Sequence, residues 1–160
     1  MIALKRILVA TDFGPAAEAA LSYGRALARN FGATLTVMHV AENFFLRPTT
    51  ADPHALKAAL ARRLEEQLTV DDRSALHARA VLDTSDQPAD EITRYAKQAG
   101  IDLIVMGTHG RDGLAHLLVG SVAERVVRTA SCPVLTVKHP EHEFVLPDAA
   151  NNSQQEARPS

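Results

Sequence analysis

Between Arg6 and Thr11 the chain runs continuously apolar, with basic residues ahead of it. A run without alternation is the pattern of a strand buried on both faces. Asp12-Phe13-Gly14-Pro15 ends it and opens a helix, because proline in a first turn sacrifices no hydrogen bond. Ala20, Leu21, Gly24, Leu27, Ala28 and Phe31 share one face of that helix, and Gly32 is placed to close it. Thr34 to Val40 is rich in β-branched residues and predicts a second strand.

Ala41 to Thr50 has no period. Its Phe44, Phe45 and Leu46 form either a flap over a site or a patch tucked under the next helix. Asp52-Pro53 opens that helix, with Leu56, Ala59, Leu60, Leu64 and Leu68 as its stripe and Arg62, Arg63, Glu65 and Glu66 as its solvated face. Leu76, Ala78, Ala80 and Leu82 alternate with His77, Arg79 and Val81, which predicts a third strand with one wetter face. Asp83 to Gln87 is a polar turn. Pro88 begins a helix carrying Ile92, Tyr95, Ala96 and Ala99, and Gly100 ends it.

Leu103-Ile104-Val105-Met106 predicts a fourth buried strand. Val122, Ala123, Val126, Val127 and Ala130 then recur at helical spacing, with Glu124, Arg125 and Arg128 between them. Pro133 to Lys138 is a fifth short strand, with proline tolerated at its start. Strands and helices alternating at these lengths predict βαβ units, hence an α/β domain with a parallel sheet and helices on both faces. That domain covers residues 1–139. Residues 140–160 include Asn151-Asn152-Ser153-Gln154-Gln155 and lack apolar periodicity, which predicts a disordered tail.

The candidate chemistry lies between the fourth strand and the helix after it. A glycine ending a strand, Gly107, lets backbone approach a ligand closely and permits positive φ. Gly120-Ser121 opens a helix whose first N–H groups lack partners and favour an anion. Strand, glycine loop and helix start together make the layout of a phosphate cradle. Neither the Walker closure Gly-Lys-Ser/Thr nor the dinucleotide pattern Gly-x-Gly-x-x-Gly is present. A helix dipole alone contributes about 0.3–1 kcal/mol, too little for binding. Several N–H bonds to charged phosphate, at about 1.5–3 kcal/mol each, plus burial of a base reach roughly micromolar affinity. Many donors must therefore act at once, and the glycines make that geometry available.

The spacing Gly-x2-Gly-x9-Gly-Ser resembles the ATP-binding signature of the universal stress protein family. Val-Met-Gly-Thr-His-Gly-Arg and Gly-Ser-Val-Ala-Glu-Arg-Val are similar to that family too, and the resemblance runs from about Leu4 to Lys138. It implies a Rossmann-like, adenine nucleotide alpha hydrolase-like sheet of five strands in the order 3-2-1-4-5. Strands one and four then adjoin at the switch point, where open α/β sheets bind ligands. It implies ATP as ligand; the loop offers only Asp112 as a nearby carboxylate, so an accompanying Mg²⁺ would be carried mainly by phosphate oxygens. Asp12 would meet the nucleoside and the Val40 main chain would meet adenine. Met106, Gly107, Gly110, Arg111, Gly120, Ser121 and Val122 complete the implied binding set.

Each of these residues keeps a plainer role open. Asp12 suits the N-cap of the first helix; Val40 suits the core; Ser121 could cap its helix with the oxygen that would bond phosphate. Arg111 is either a phosphate partner or a solvated loop residue. His109 and His116 make no metal site by spacing, with no carboxylate or cysteine to complete one. Gly14 stands where the family often has serine, which adds flexibility beside Asp12. The resemblance also implies a homodimer through Pro133-Val134-Leu135-Thr136-Val137, and an apolar edge strand invites such pairing.

A formal charge of −2 offers no electrostatic footprint for nucleic acid. Cys132 is the only cysteine, so an internal disulfide is excluded; before Pro133 it reads as a small buried residue or a reactive thiol. The run after Lys5-Arg6 is too short for a signal peptide, and no segment is long enough to span a membrane, so the expected location is the cytoplasm. No P-loop lysine, evident in-line base or His-x-Gly-His pattern is present, and no catalytic residue is assigned. The expected function is an ATP-binding regulatory or protective module of the stress response, with an unknown protein partner. The alternatives are a slow ATP hydrolase or nucleotidyl transferase, or an interaction protein independent of nucleotide.

Overall fold

The computed structural model describes residues 1–43, 51–108 and 120–139. Its sheet grows from β1 (Arg6–Ala10), in which Ile7, Leu8, Val9 and Ala10 are all buried. Alternate residues of a strand face opposite ways. Ile7 and Val9 accordingly join one apolar cluster, and Leu8 and Ala10 the other. β2 (Thr34–Ala41), β3 (Arg79–Thr84), β4 (Leu103–Gly107) and β5 (Val134–Val137) complete a sheet ordered β3-β2-β1-β4-β5, with every pair parallel. That is the order the resemblance implies.

Of the five helices among the described residues, four cover the two faces. α1 (Pro15–Phe31) and α2 (Pro53–Glu66) pack through Ala20, Leu21, Ala28 and Leu64 on Ile7, Val9, Leu35, Val37 and Val105. α4 (Pro88–Ala99) and α5 (Ser121–Thr129) bring Ala89, Ile92, Ala96, Ala123 and Val126 onto Leu8, Met38, Ile104 and Met106. Gly32, just past α1, is left-handed at φ 63°, as its closing position requires.

One helix was not expected. Thr69 and Asp72 form a reciprocal capping box, with Asp72 N–H on Thr69 Oγ1 at 3.0 Å and Thr69 N–H on Asp72 Oδ2 at 2.9 Å. This starts α3 (Val70–Ala75), inside which the apolar alternation has not yet begun. The amides of Leu76 and Ala78 both turn back to the Asp72 carbonyl, and His77 takes φ 47°. The third strand therefore begins at Arg79, not Leu76, and runs on through Asp83 and Thr84, which the sequence pattern assigned to a turn. Smaller differences lie at other ends: β1 stops at Ala10, β2 reaches Ala41, and Pro133 precedes β5 while its carbonyl still accepts from Ile104 N–H at 3.0 Å.

Three expected apolar-stripe positions face out, one of them Ala59 of α2. Phe31, in the last turn of α1, is 43% exposed, and Val127 is 54% exposed where α5 turns away from the sheet. Cys132 is half-buried. Burial pushes its thiol above the ordinary value, the opposite of an activated thiolate.

The α3 capping box is tied to α1 through a buried ion pair. Arg25 Nε donates to both oxygens of Asp72, at 3.0 and 2.9 Å, and its Nη2 donates to the Gln67 carbonyl at 2.5 Å. Burial alone would raise the Asp72 carboxyl. The Arg25 and Thr69 hydrogen bonds outweigh it and hold the group below the ordinary carboxylate value.

Candidate functional site

The carboxyl ends of β1, β2 and β4 open at one edge of the sheet, at the point where strand order turns from β1 to β2 on one side and to β4 on the other. Asp12 follows β1 there and is half-buried. Its Oδ1 accepts the Gly14 N–H at 2.9 Å, while Thr11 Oγ1 accepts the Phe13 N–H at 3.0 Å. Two side chains thus hold the two amides of one turn, and Phe13 sits in it at φ 66°. Such a conformation is uncommon for a residue with a bulky side chain.

The N-cap of α1 is Gly14, with no side-chain cap bond, so Asp12 does not cap the helix directly. Gly14 is extended at φ −85°, ψ 169°, and its amide is bound to Asp12. The flexibility expected beside Asp12 is not needed for this backbone, which any residue adopts. Val40 is half-buried one residue before the end of β2, on the apolar face that α4 covers, and is in register with Asp83. Met106 is buried on that same face.

Gly107 ends β4 in register with Val137. Its φ is not positive, and its bare Cα serves a neighbour in the fold: a Cβ would come within 2.7 Å of Ala16 Cβ and 2.9 Å of the Ala16 carbonyl carbon. On the side where a Cβ would stand, the close approach is that of α1. Beyond it, Thr108 N–H donates to the Val137 carbonyl at 2.8 Å, and the Gly120 N–H donates to the Thr108 carbonyl. The chain on either side of residues 109–119 is thereby drawn together beside β5. Gly110 and Arg111, with His109, Asp112 and His116, lie outside the described residues, as do Phe44, Phe45 and Leu46 and the segment 140–160.

Gly120 is the N-cap of α5, with φ −67° and no side-chain cap bond. Ser121 is the first helical residue and is exposed, so its hydroxyl is not the cap. Val122 is half-buried behind it. The first amides of α5 therefore meet the same edge as Asp12, Val40 and Gly107. A helix start of this kind carries partial positive charge and offers donors to an anion.

Sequence reasoning did not single out His39. Its Nδ1 lies 2.7 Å from the Thr11 carbonyl, and its ring packs 4.5 Å from that of Phe13 between centroids. Arg63 of α2 covers the other part of this group, with Cζ 4.3 Å from the Phe13 centroid. The available signal was an imidazole in line with Leu35 and Val37, one residue before Val40, which marks the residue but not its bond to Thr11.

An open, doubly wound parallel sheet whose switch point meets a helix N-terminus defines a class of ligand-binding α/β domains. Within that class, the model of the universal stress protein family matches residues 3–138, and the chain belongs to this family. Universal stress protein MJ0531 of Methanocaldococcus jannaschii is 33% identical over 144 residues, covering 87% of this chain and 85% of its own. The structure of UspA from Lactobacillus plantarum is similar with a TM-score of 0.74 at 29% identity, over 86% of this chain and 99% of that one. An Archaeoglobus fulgidus universal stress protein solved in complex with dAMP shares the fold at TM-score 0.62 and 24% identity, over 86% of this chain and all of that one, 100%. A universal stress protein solved in complex with cAMP does so at 0.61 and 22%, over 86% of this chain and 98% of that one. Among the described residues, no helix is long and apolar enough to cross a membrane.

Proposed function

We propose that this protein binds an adenine nucleotide, ATP in particular, at the carboxyl edge of the sheet between β1 and β4. The observation that carries the reading is the convergence there of Asp12, the Val40 main chain, the end of β4 and the first turn of α5. Family members solved with dAMP and cAMP support the ligand class. The donor set fits such a ligand. Asp12 commits Oδ1 to the Gly14 amide, and Oδ2 would accept from ribose hydroxyls. The α5 amides and the Ser121 hydroxyl suit phosphate, with Gly110 and Arg111 of the loop adding donors. Mg²⁺ would be held chiefly by phosphate oxygens.

This arrangement would hold phosphate, and among the described residues it supplies no evident in-line base. Binding that is equal for ground and transition state gives occupancy without acceleration. The protein therefore acts as a nucleotide-dependent module of a stress response, changing its partners with occupancy. It is assembled as a homodimer through β5. Calorimetry tests the binding: Gly110→Val places branched carbons in the loop and is expected to abolish ATP binding in a folded protein. Unchanged affinity in that variant would contradict the site.

A further inference from the structure

The β1–β2 ladder ends in an unusual way. Parallel pairing places Ala10 opposite Met38, and the Thr11 N–H donates to the Met38 carbonyl at 2.9 Å. The next two rungs of that ladder would be Val40 N–H to the Thr11 carbonyl and Phe13 N–H to the Val40 carbonyl. Neither forms among the described residues. The Thr11 carbonyl takes His39 Nδ1 at 2.7 Å, and the Phe13 N–H takes Thr11 Oγ1 at 3.0 Å. Two side-chain bonds occupy the β1 groups that Val40 would otherwise meet.

The direction of Val40 follows from its neighbour. The Ala41 carbonyl accepts from Ser85 N–H at 2.8 Å, toward β3. Backbone groups of successive strand residues point to opposite edges, so the amide and carbonyl of Val40 point toward the side β1 has left. A donor and an acceptor side by side on one residue are what a purine presents along its Watson–Crick edge, reversed.

His39 can perform this role only with a proton on Nδ1. A carbonyl oxygen accepts and never donates, so Nδ1 carries the proton. The ring is held in place by Phe13, itself in the left-handed turn at φ 66° and covered by Arg63 of α2. We infer that His39 is a positioning residue that closes off the Thr11 carbonyl, stops the β1–β2 ladder and so leaves the Val40 main chain free to read the base of a nucleotide. The inference rests on the nucleotide reading above for the identity of the ligand, and on the ladder alone for the role of His39.

Two variants separate the possibilities. His39→Phe keeps a ring against Phe13 and removes the donor, whereas His39→Asn returns a donor near the position of Nδ1. Hydrogen exchange of the Val40 amide, read by NMR on the full chain without nucleotide, is expected to be fast in the parent protein and in His39→Asn. It should slow by at least about tenfold in His39→Phe, as the Thr11 carbonyl becomes available. In calorimetry, His39→Phe should weaken ATP at least about tenfold while leaving inorganic tripolyphosphate unchanged, and His39→Asn should restore ATP. A Val40 amide already protected in the parent protein overturns the inference, whether or not His39→Phe folds. So does equal weakening of ATP and tripolyphosphate. A parent protein that binds no ATP overturns the nucleotide reading and the base assignment, while the exchange data still decide whether His39 ends the ladder.

Discussion

At the scale of single residues, the buried pair Arg25–Asp72 makes the sharpest claim about stability. The Asp72 side chain is 0% exposed and that of Arg25 22% exposed. Removing one partner of a buried pair leaves a charge without compensation, at a cost of about 3–5 kcal/mol. Arg25→Ala is therefore expected to lower the unfolding free energy by about 3 kcal/mol in urea denaturation, and a change under about 1 kcal/mol would contradict the pair's role. The same pair sets a pH dependence. The folded-state pKa of Asp72 lies below its unfolded value, so its contribution is complete above the ordinary carboxylate range and is lost as pH falls through the lowered pKa. Stability measured from about pH 7 down to about pH 3 should fall less steeply in Asp72→Asn than in the parent protein. None of this was visible in the sequence pattern, where Arg25 and Asp72 stand far apart and neither was singled out. Gly107 was legible as a glycine that matters; what the sequence did not show is that its bare Cα also admits Ala16 of α1.

At the scale of elements, the buried central strands were the easiest to read. β1 and β4 are apolar on both faces because helices cover both, and an unbroken apolar run leaves no face for water. The β3 region was harder because α3 has only 6 residues, too few to show a helical period. Its cue was the Thr69-x-x-Asp72 spacing, a variant of the capping box with aspartate in place of the usual glutamate. Phe31 and Val127 satisfied the helical stripe yet face out, since periodicity gives a face and not how much of it the sheet covers. β5 is the edge strand on the β4 side, and its outer backbone groups are available to another chain. Antiparallel pairing of β5 across a two-fold axis is expected to give a dimer in sedimentation velocity at tens of micromolar, unaffected by truncation after Pro140. A monomer under those conditions would count decisively against it.

At the scale of the whole molecule, strand order could not come from periodicity and followed from the family resemblance, which the sheet matches. The order brings Asp12, Val40, Gly107 and Ser121 to one edge although the last lies more than a hundred positions from the first. Composition explains none of this convergence, because the candidate site consists of strand ends and a helix start rather than a cluster of unusual residues. Nor could the pattern reveal His39, whose part depends on where the ladder stops. A candidate site of backbone donors, without a placed base among the described residues, predicts occupancy rather than turnover. Phosphate release with excess ATP and Mg²⁺ should stay far below about 1 s⁻¹. Sustained turnover at ordinary enzyme rates, lost in His109→Ala or His116→Ala while ATP still binds, would move the protein to the enzyme class. The most direct test of the central claim is amide chemical-shift mapping during an ATP titration. Saturable shifts centred on Asp12, Val40, Gly107, Gly120 and Ser121 are the predicted result. No saturable shift, or shifts centred on the opposite edge of the sheet around Lys5, Gly100 and Asp102, would contradict it.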